Sequence, residues 1–344
     1  MSSQPNPQPA WPFSTKEGWK KFTDSPAQRP KVLSPKQFDA LTQHERDTYE
    51  RTRLTYMLES AVIRTPQLAS ILKAARDRIY LNEFKPYARH GLIVTGEATL
   101  GKTTTVLRIG RDHERRRRRQ QHPAGMPGMI PVVYVTVPPS CGSKDMLVQF
   151  ADFFGLPHGH RISKTEIMST VAGVMTRVRT ELVIVDEIHN LDLGRQPAAE
   201  ASDALKQLSE KCPATFIYSG INLDKSGLFS GIRGRQIADR FQSHRMTPFT
   251  RNSQQGRAEW DQLLIDFEDT LSLIRQRPGD ILTFAGPLFA RSGGSIGKLA
   301  DALHGCALTA IRTGTERLTP AVLRDHGIVP PSKPARTRKN TGAA

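Results

Sequence analysis

One short segment restricts this chain more than any other. Gly96-Glu97-Ala98-Thr99-Leu100-Gly101-Lys102-Thr103 matches the pattern G-x-x-x-x-G-K-[ST] without deviation. These residue types answer one physical problem, the holding of a polyphosphate. The glycines let the backbone curl so that successive N–H groups point at phosphate oxygens. Lys102 supplies a cation for the β- and γ-phosphates, and the Thr103 hydroxyl can ligate Mg2+. Thr104 is a further candidate for a phosphate contact. The pattern carries this meaning only between a strand and a helix. Gly91-Leu92-Ile93-Val94-Thr95 supplies an apolar run before it. The spacing predicts a helix over 102–119, whose positive dipole end would face the phosphates.

The loop sits in a repeating context. Pro131 to Val137, Glu181 to Asp186 and Ala214 to Ser219 are further β-branched apolar runs. Runs of this kind are expected of strands buried on both faces of a parallel sheet. Helical stretches are predicted between them, over 143–155, 164–179 and 198–211. Strand-helix alternation implies an α/β fold with a parallel sheet between helices. The run Leu182-Val183-Ile184-Val185 delivers the pair Asp186-Glu187 to the C-terminal edge of its strand, where open α/β sheets bind ligands. About 85 residues past the loop, Asp186 is placed to hold Mg2+ directly or through its water shell. Glu187 would orient and polarise an attacking water, which favours ATP hydrolysis over binding alone.

The flanks read differently. Residues 1–33 hold six prolines and few aliphatics, and are expected to be a mostly disordered arm. Trp11, Phe13, Trp19 and Phe22 within it are either anchors for a partner or side chains that pack back on the domain. Residues 34–89 are expected to be helical. Ser34 with Gln37, and Thr42 with Glu45, carry capping-box spacing. Thr65-Pro66 opens a helix with Leu68, Ile71, Leu72, Ala75 and Ile79 on one face. The α/β core is assigned to 90–251. Helices over 254–276, 280–291, 295–313 and 319–325 build a small lid over 252–326. The basic tail, 327–344, with Lys333, Arg336, Arg338 and Lys339, is expected to be disordered.

Lys and Arg number 49 against 33 Asp and Glu, a net charge of +16. Such an excess favours polyanionic partners, because basic side chains displace the counterions around phosphates. The five consecutive arginines Arg115 to Arg119 are either a solvated helix end or a stripe that tracks a phosphate backbone. Cys141, Cys212 and Cys306 are far apart, which excludes a C-x-x-C zinc site and a disulfide framework and fits a reducing cytoplasm. No apolar run has the length of a membrane span, and Met1 to Pro12 lacks the pattern of a signal peptide. His113, His158, His160 and His189 show no metal-ligand spacing, although His189 neighbours the acidic pair.

The loop, "VDEIHNL" at 185–191, "ATFIYSGIN" at 214–222 and the helical C-terminal part together resemble an AAA+ P-loop NTPase. Closer still is the TniB/TnsC type, the ATP-dependent regulators of target selection in transposition. "VYVTVPPS" at 133–140, "FFGLP" at 153–157, "QIADRFQSHRMTPF" at 236–249 and "SGGSIGKLADALHGCALTAIRTGTERLT" at 292–319 carry that likeness, which spans 35–326. The resemblance implies ATP and Mg2+ as cofactors, double-stranded DNA as a partner, an ATP-dependent ring or helical homo-oligomer, and recruitment of a transposase. It implies sensor 1 at Asn222, with Ser219 the competitor, because the family usually has Gly-Thr where this chain has Gly220-Ile221. It implies an arginine finger at Arg240, with Arg233 and Arg235 as rivals. Lys298 stands where a sensor 2 cation could lie, or on a solvated helix face. The alternatives are a helicase-loader-like ATPase of the same fold, or an ATPase signalling switch with no DNA role.

Overall fold

The computed structural model describes residues 12–25, 29–120, 128–159, 161–191, 198–225, 229 and 239–330. They fall into two compact units, one within Met1–Pro26 and Arg64–Thr247, the other within Ala27–Ile63 and Pro248–Ala344.

The first unit is built on a five-stranded sheet of β1 (Gly91–Gly96), β2 (Val132–Thr136), β3 (Leu182–Asp186), β4 (Thr215–Ile221) and β5 (Phe241–Arg245). Their order is β2-β3-β4-β1-β5 and every pairing is parallel. The four strands expected from apolar runs lie within a residue or two of their predicted places. β1 and β3 are buried along their whole length, as two-sided helix cover requires. The fifth strand, Phe-Gln-Ser-His-Arg, is polar and largely exposed. Among the described residues it pairs with β1 alone, so an edge position replaces the apolar run that signals an interior strand.

Helices α4 (Pro66–Glu83), α5 (Lys102–Gln120), α6 (Ser143–Phe154), α7 (Lys164–Arg177) and α8 (Ala198–Lys211) belong to this unit. The core gathers Leu92, Val94, Val106, Val133, Phe150, Ile184 and Ile217. The Thr65 side chain caps α4 by accepting from the Leu68 N–H at 3.1 Å, and Leu68, Ile71, Ala75 and Ile79 are buried as their spacing predicts.

The expected disordered arm contains a docked helix, α1 (Lys16–Asp24), capped by Thr15. Trp19 is 2% exposed and packs with Phe22, the ring centroids 5.5 Å apart. Flanking prolines mask this single amphipathic stretch, while Trp11 lies outside the described residues. The arginine run is largely consumed here. Arg115 donates to the Thr23 and Ser25 carbonyls at 2.8 and 2.9 Å, and Arg111 also donates to Ser25. Arg118 pairs with Asp24 and Glu114, and Arg117 with Glu181. Three of the five consecutive arginines therefore serve packing, two of them on the carbonyl end of α1 where cations are favoured. Arg116 and Arg119 make no hydrogen bond or ion pair among the described residues.

The second unit holds α2 (Pro35–Asp39) and α3 (Gln43–Thr55), both with the capping boxes their sequences predict. It continues with helices Gln254–Leu271, Ala285–Ser292, Ile296–Arg312 and Pro320–Asp325. Trp260, Leu264, Leu299, Leu303 and Leu323 form its centre. The ranges read from sequence divide the chain elsewhere: residues 34–63 share this unit, while α4 belongs to the sheet. A buried ion pair is one reason. Arg53 meets Glu316 through two hydrogen bonds of 2.7 and 2.8 Å, and both side chains are fully buried. Ile328, placed in the expected tail, is 6% exposed and part of the same core. Lys333, Arg336, Arg338 and Lys339 lie outside the described residues.

Candidate functional site

The phosphate loop begins where β1 ends. Gly96 has φ +147° and a Cβ there would lie 2.5 Å from the Met246 carbonyl oxygen, so only glycine fits. Glu97, Ala98 and Thr99 are exposed, and Leu100 turns inward at 4% exposure to pin the loop to the core. Thr99 and Gly101 take left-handed φ values of +63° and +88°, which turns the loop into α5. Lys102 is the first residue of α5 and is 5% exposed. Its Nζ donates to the Glu97 carbonyl at 2.7 Å. Burial lowers the Lys102 pKa, opposed by the negative charges of Glu187 and Asp186. Loop and acidic pair both follow the C-terminal ends of parallel strands that β4 alone separates. Thr103 is half-buried and Thr104 exposed on the first turn of α5.

The acidic pair closes β3, one strand removed from β1 with β4 between. Asp186 is 1% exposed, and both its carboxylate oxygens are engaged. Oδ1 accepts from the Glu187 N–H at 2.9 Å and Oδ2 from the Tyr134 hydroxyl at 3.1 Å. Burial, then the Asp186 charge, pushes the Tyr134 phenol above its ordinary pKa, so it stays a donor. Thr136, in register with Asp186, donates to the Tyr134 hydroxyl at 3.3 Å. Glu187 sits at φ +55°, an uncommon conformation for a residue with a side chain and one that gathers at functional sites. His189 Nδ1 lies 3.3 Å from Glu187 Oε2 and accepts the Ile221 N–H at 3.2 Å. It thereby touches both the acidic pair and the end of β4.

The two sensor candidates occupy different places. Asn222 follows β4 at φ +44°, and its N–H donates to the Gly96 carbonyl at 3.2 Å. Its side-chain oxygen accepts from Arg245 at 3.2 Å, and Arg245 also pairs with Asp224. Ser219 lies within β4, opposite Val94, and is fully buried. Asn222 is therefore the one beside the loop. Arg240 lies at the other end of the sheet: its carbonyl accepts from the Gly91 N–H at 3.0 Å, at the start of β1. Five residues of strand, about 16 Å at 3.3 Å each, separate that end from Gly96. It pairs with Glu210 at 3.4 Å. Arg233 and Arg235 lie outside the described residues, and Lys298 belongs to helix Ile296–Arg312 of the second unit.

Tyr134 and Arg245 escaped the sequence reading. For Tyr134 a signal existed, a polar-tipped ring and Thr136 on one face of a strand otherwise made of valines. For Arg245 none existed without β5. Among the described residues no group of three or more His, Cys, Asp or Glu could hold a metal ion.

Residues 53–251, more than half of the 344, match the family model "Bacterial TniB protein". The chain belongs to the TniB family. A search of curated proteins gave no match. Among solved structures, this TniB-family chain is similar to the Aeropyrum pernix ORC1 protein in complex with DNA, with TM-score 0.56 and 16% identity over 80% of this chain and 68% of that one. It is similar to Cdc6p of Pyrobaculum aerophilum, with TM-score 0.56 and 14% identity over 80% and 70%. It is also similar to the ADP form of the Aeropyrum pernix ORC2 protein, with TM-score 0.57 and 16% identity over 78% and 70%. At these identities the likeness speaks to fold, and the fold of the TniB-family chain is that of an AAA+ P-loop ATPase.

Proposed function

We propose that this TniB-family chain binds ATP with Mg2+ on the loop Gly96–Thr103, hydrolyses it, and in its ATP state assembles on double-stranded DNA to select a transposition target and recruit a transposase. The placement of the loop with Lys102 and of the pair Asp186-Glu187 at one C-terminal edge of the parallel sheet carries the catalytic part. The donor set fits the cation: Mg2+ asks for hard oxygens and takes only one or two from protein, the rest coming from phosphates and water. The Thr103 hydroxyl and the Asp186 carboxylate supply those two. Mg2+, when bound, offsets charge on the β- and γ-phosphate oxygens.

The chain's own residues would do the remainder. The loop N–H groups from Glu97 to Thr104 and the Lys102 ammonium cradle the phosphates. Glu187 orients the attacking water, with Asn222 reaching the γ-phosphate region from the end of β4. Arg240, stationed away from its own site, completes the site of a neighbouring copy. The +16 charge and the family support the DNA partner. The three cysteines are free and buried, and no helix among the described residues is long and apolar enough to cross a membrane. Both fit a cytoplasmic protein.

Three variants test the reading. Lys102→Ala is expected to abolish tight ATP binding. Glu187→Gln is expected to bind ATP with turnover reduced by about two orders of magnitude. Arg240→Ala is expected to spare binding, to lose oligomer-dependent turnover, and to regain part of it when mixed with Lys102→Ala. Labelled-ATP binding and phosphate release decide the matter, and normal ATP binding by Lys102→Ala would overturn the assignment.

A further inference from the structure

We propose that α1 is a working part of the nucleotide site: Trp19, stacked on Tyr134, holds the Tyr134 hydroxyl on Asp186 and so presets the carboxylate for the cation. The inference rests on the reading of Asp186 as a Mg2+ ligand and goes beyond it, since it gives a positioning role to an N-terminal helix outside the matched 53–251 region.

The chain of contacts is continuous. Of the two Asp186 oxygens, Oδ1 is held by backbone and Oδ2 by Tyr134. The angle at which that carboxylate meets a cation therefore depends on where the Tyr134 ring lies. One face of the ring is covered by Trp19, with centroids 5.7 Å apart and planes 14° from parallel. Trp19 in turn is seated with little freedom. A Cβ on Gly110 of α5 would come 2.6 Å from its ring, so a glycine notch admits it. Its indole N–H donates to the buried Glu114 at 3.4 Å. Arg115 and Arg111 hold the carbonyls that follow Trp19 on α1, and Lys16 donates to the Phe154 carbonyl at 2.9 Å. Contacts on both ends of α1 thus fix Trp19, Trp19 fixes Tyr134, and Tyr134 fixes Asp186. Packing alone would be served by phenylalanine at 134. The hydroxyl is what reaches the carboxylate, and a group that orients a metal-binding carboxylate typically changes metal affinity by 10–100-fold.

The test separates orientation from packing. Tyr134→Phe removes one oxygen and leaves the stack. Affinity for Mn2+, used as the probe cation and followed by electron paramagnetic resonance on the ADP-bound protein, is expected to fall about tenfold. Affinity for ADP without cation should stay within twofold. Turnover should fall while the KM for ATP at saturating Mg2+ holds. Trp19→Ala is expected to weaken Mn2+ in the same direction, and Trp19→Phe, which keeps an aromatic face, to restore most of it. Should Trp19→Ala fail to fold, Trp19→Leu, which fills the notch without an aromatic face, takes its place, and Mn2+ affinity equal to the parent's there would remove α1 from the mechanism. Equal Mn2+ affinity in Tyr134→Phe and parent would overturn the proposal while leaving the ATPase reading intact, provided Lys102→Ala has lost ADP. A weakened Tyr134→Phe beside an unaffected Trp19→Ala would remove α1 from the mechanism. If Lys102→Ala binds ADP normally, the site reading falls and this one with it.

Discussion

In the helical unit, Arg53 and Glu316 are wholly buried and answer one another. Two hydrogen bonds join them, and Glu316 also accepts the Ile274 N–H at 3.2 Å while Arg53 reaches the Ser272 carbonyl at 3.2 Å. In the sheet unit, Lys102 and Asp186 are nearly as deep, yet among the described residues Lys102 donates only to a carbonyl of its own loop. Burial of charge is costly in both places. One pair joins guanidinium directly to carboxylate and serves structure. In the other set Lys102 and Asp186 form no ion pair with each other among the described residues, which leaves their charges for the phosphates and cation of the proposed site. The difference teaches that depth does not separate a structural ion pair from a binding site, whereas a direct partner of opposite charge does: Arg53 has Glu316, and Lys102 has a loop carbonyl.

The largest expected effect tests the joined pair. Arg53→Ala leaves Glu316 buried without its partner and should cost the helical unit about 3–5 kcal/mol. Urea unfolding followed by Trp260 fluorescence reads this directly. The double replacement Arg53→Met with Glu316→Leu should recover most of that loss, because an apolar pair of similar volume needs no desolvation. A double variant as unstable as the single one would show that the site depends on the backbone hydrogen bonds of Glu316 instead.

A smaller effect of opposite sign tests the set in the sheet unit. Lys102→Met removes a buried cation with one weak partner. The nucleotide-free protein should keep its stability or gain about 1 kcal/mol, in the way binding sites often trade stability for function. The rise in Tm that ATP gives the parent should vanish. A loss of several kcal/mol would place Lys102 with the structural pairs and erase the contrast.

The smallest effect concerns the arginines that packing does not use. Replacing Arg116 and Arg119 with Gln should lower the slope of log DNA affinity against log salt by at most about 0.9 for each phosphate left without its arginine. Stability should stay within about 0.5 kcal/mol of the parent. Arg117→Gln should act the other way, loosening its bond to Glu181 and changing stability more than the salt slope. A salt series by fluorescence anisotropy beside thermal melts compares the two, and equal behaviour would mean that the division of the run into used and unused arginines is wrong.

Much of this protein is local chemistry, and local chemistry is legible. The loop from Gly96 to Thr103, the four apolar strands, the Asp186-Glu187 pair and the caps at Ser34, Thr42 and Thr65 each depend on residues a few positions apart, so spacing alone betrays them. What escaped depends on residues that meet only after folding. β5 is a strand because β1 offers it an open edge; its own side chains carry no apolar signal. Trp19 is a core residue because Gly110 leaves a notch for it, and Arg115 and Arg118 are spent because the end of α1 lands beside them. Residues 34–63 join the helical unit through partners such as Glu316, 263 positions from Arg53. The bond from Tyr134 to Asp186 spans 52 positions. Propensity and motif register only neighbours in sequence. Which distant groups become neighbours is set by how the sheet orders its strands and how the helices close over them, and the tertiary structure alone decided that.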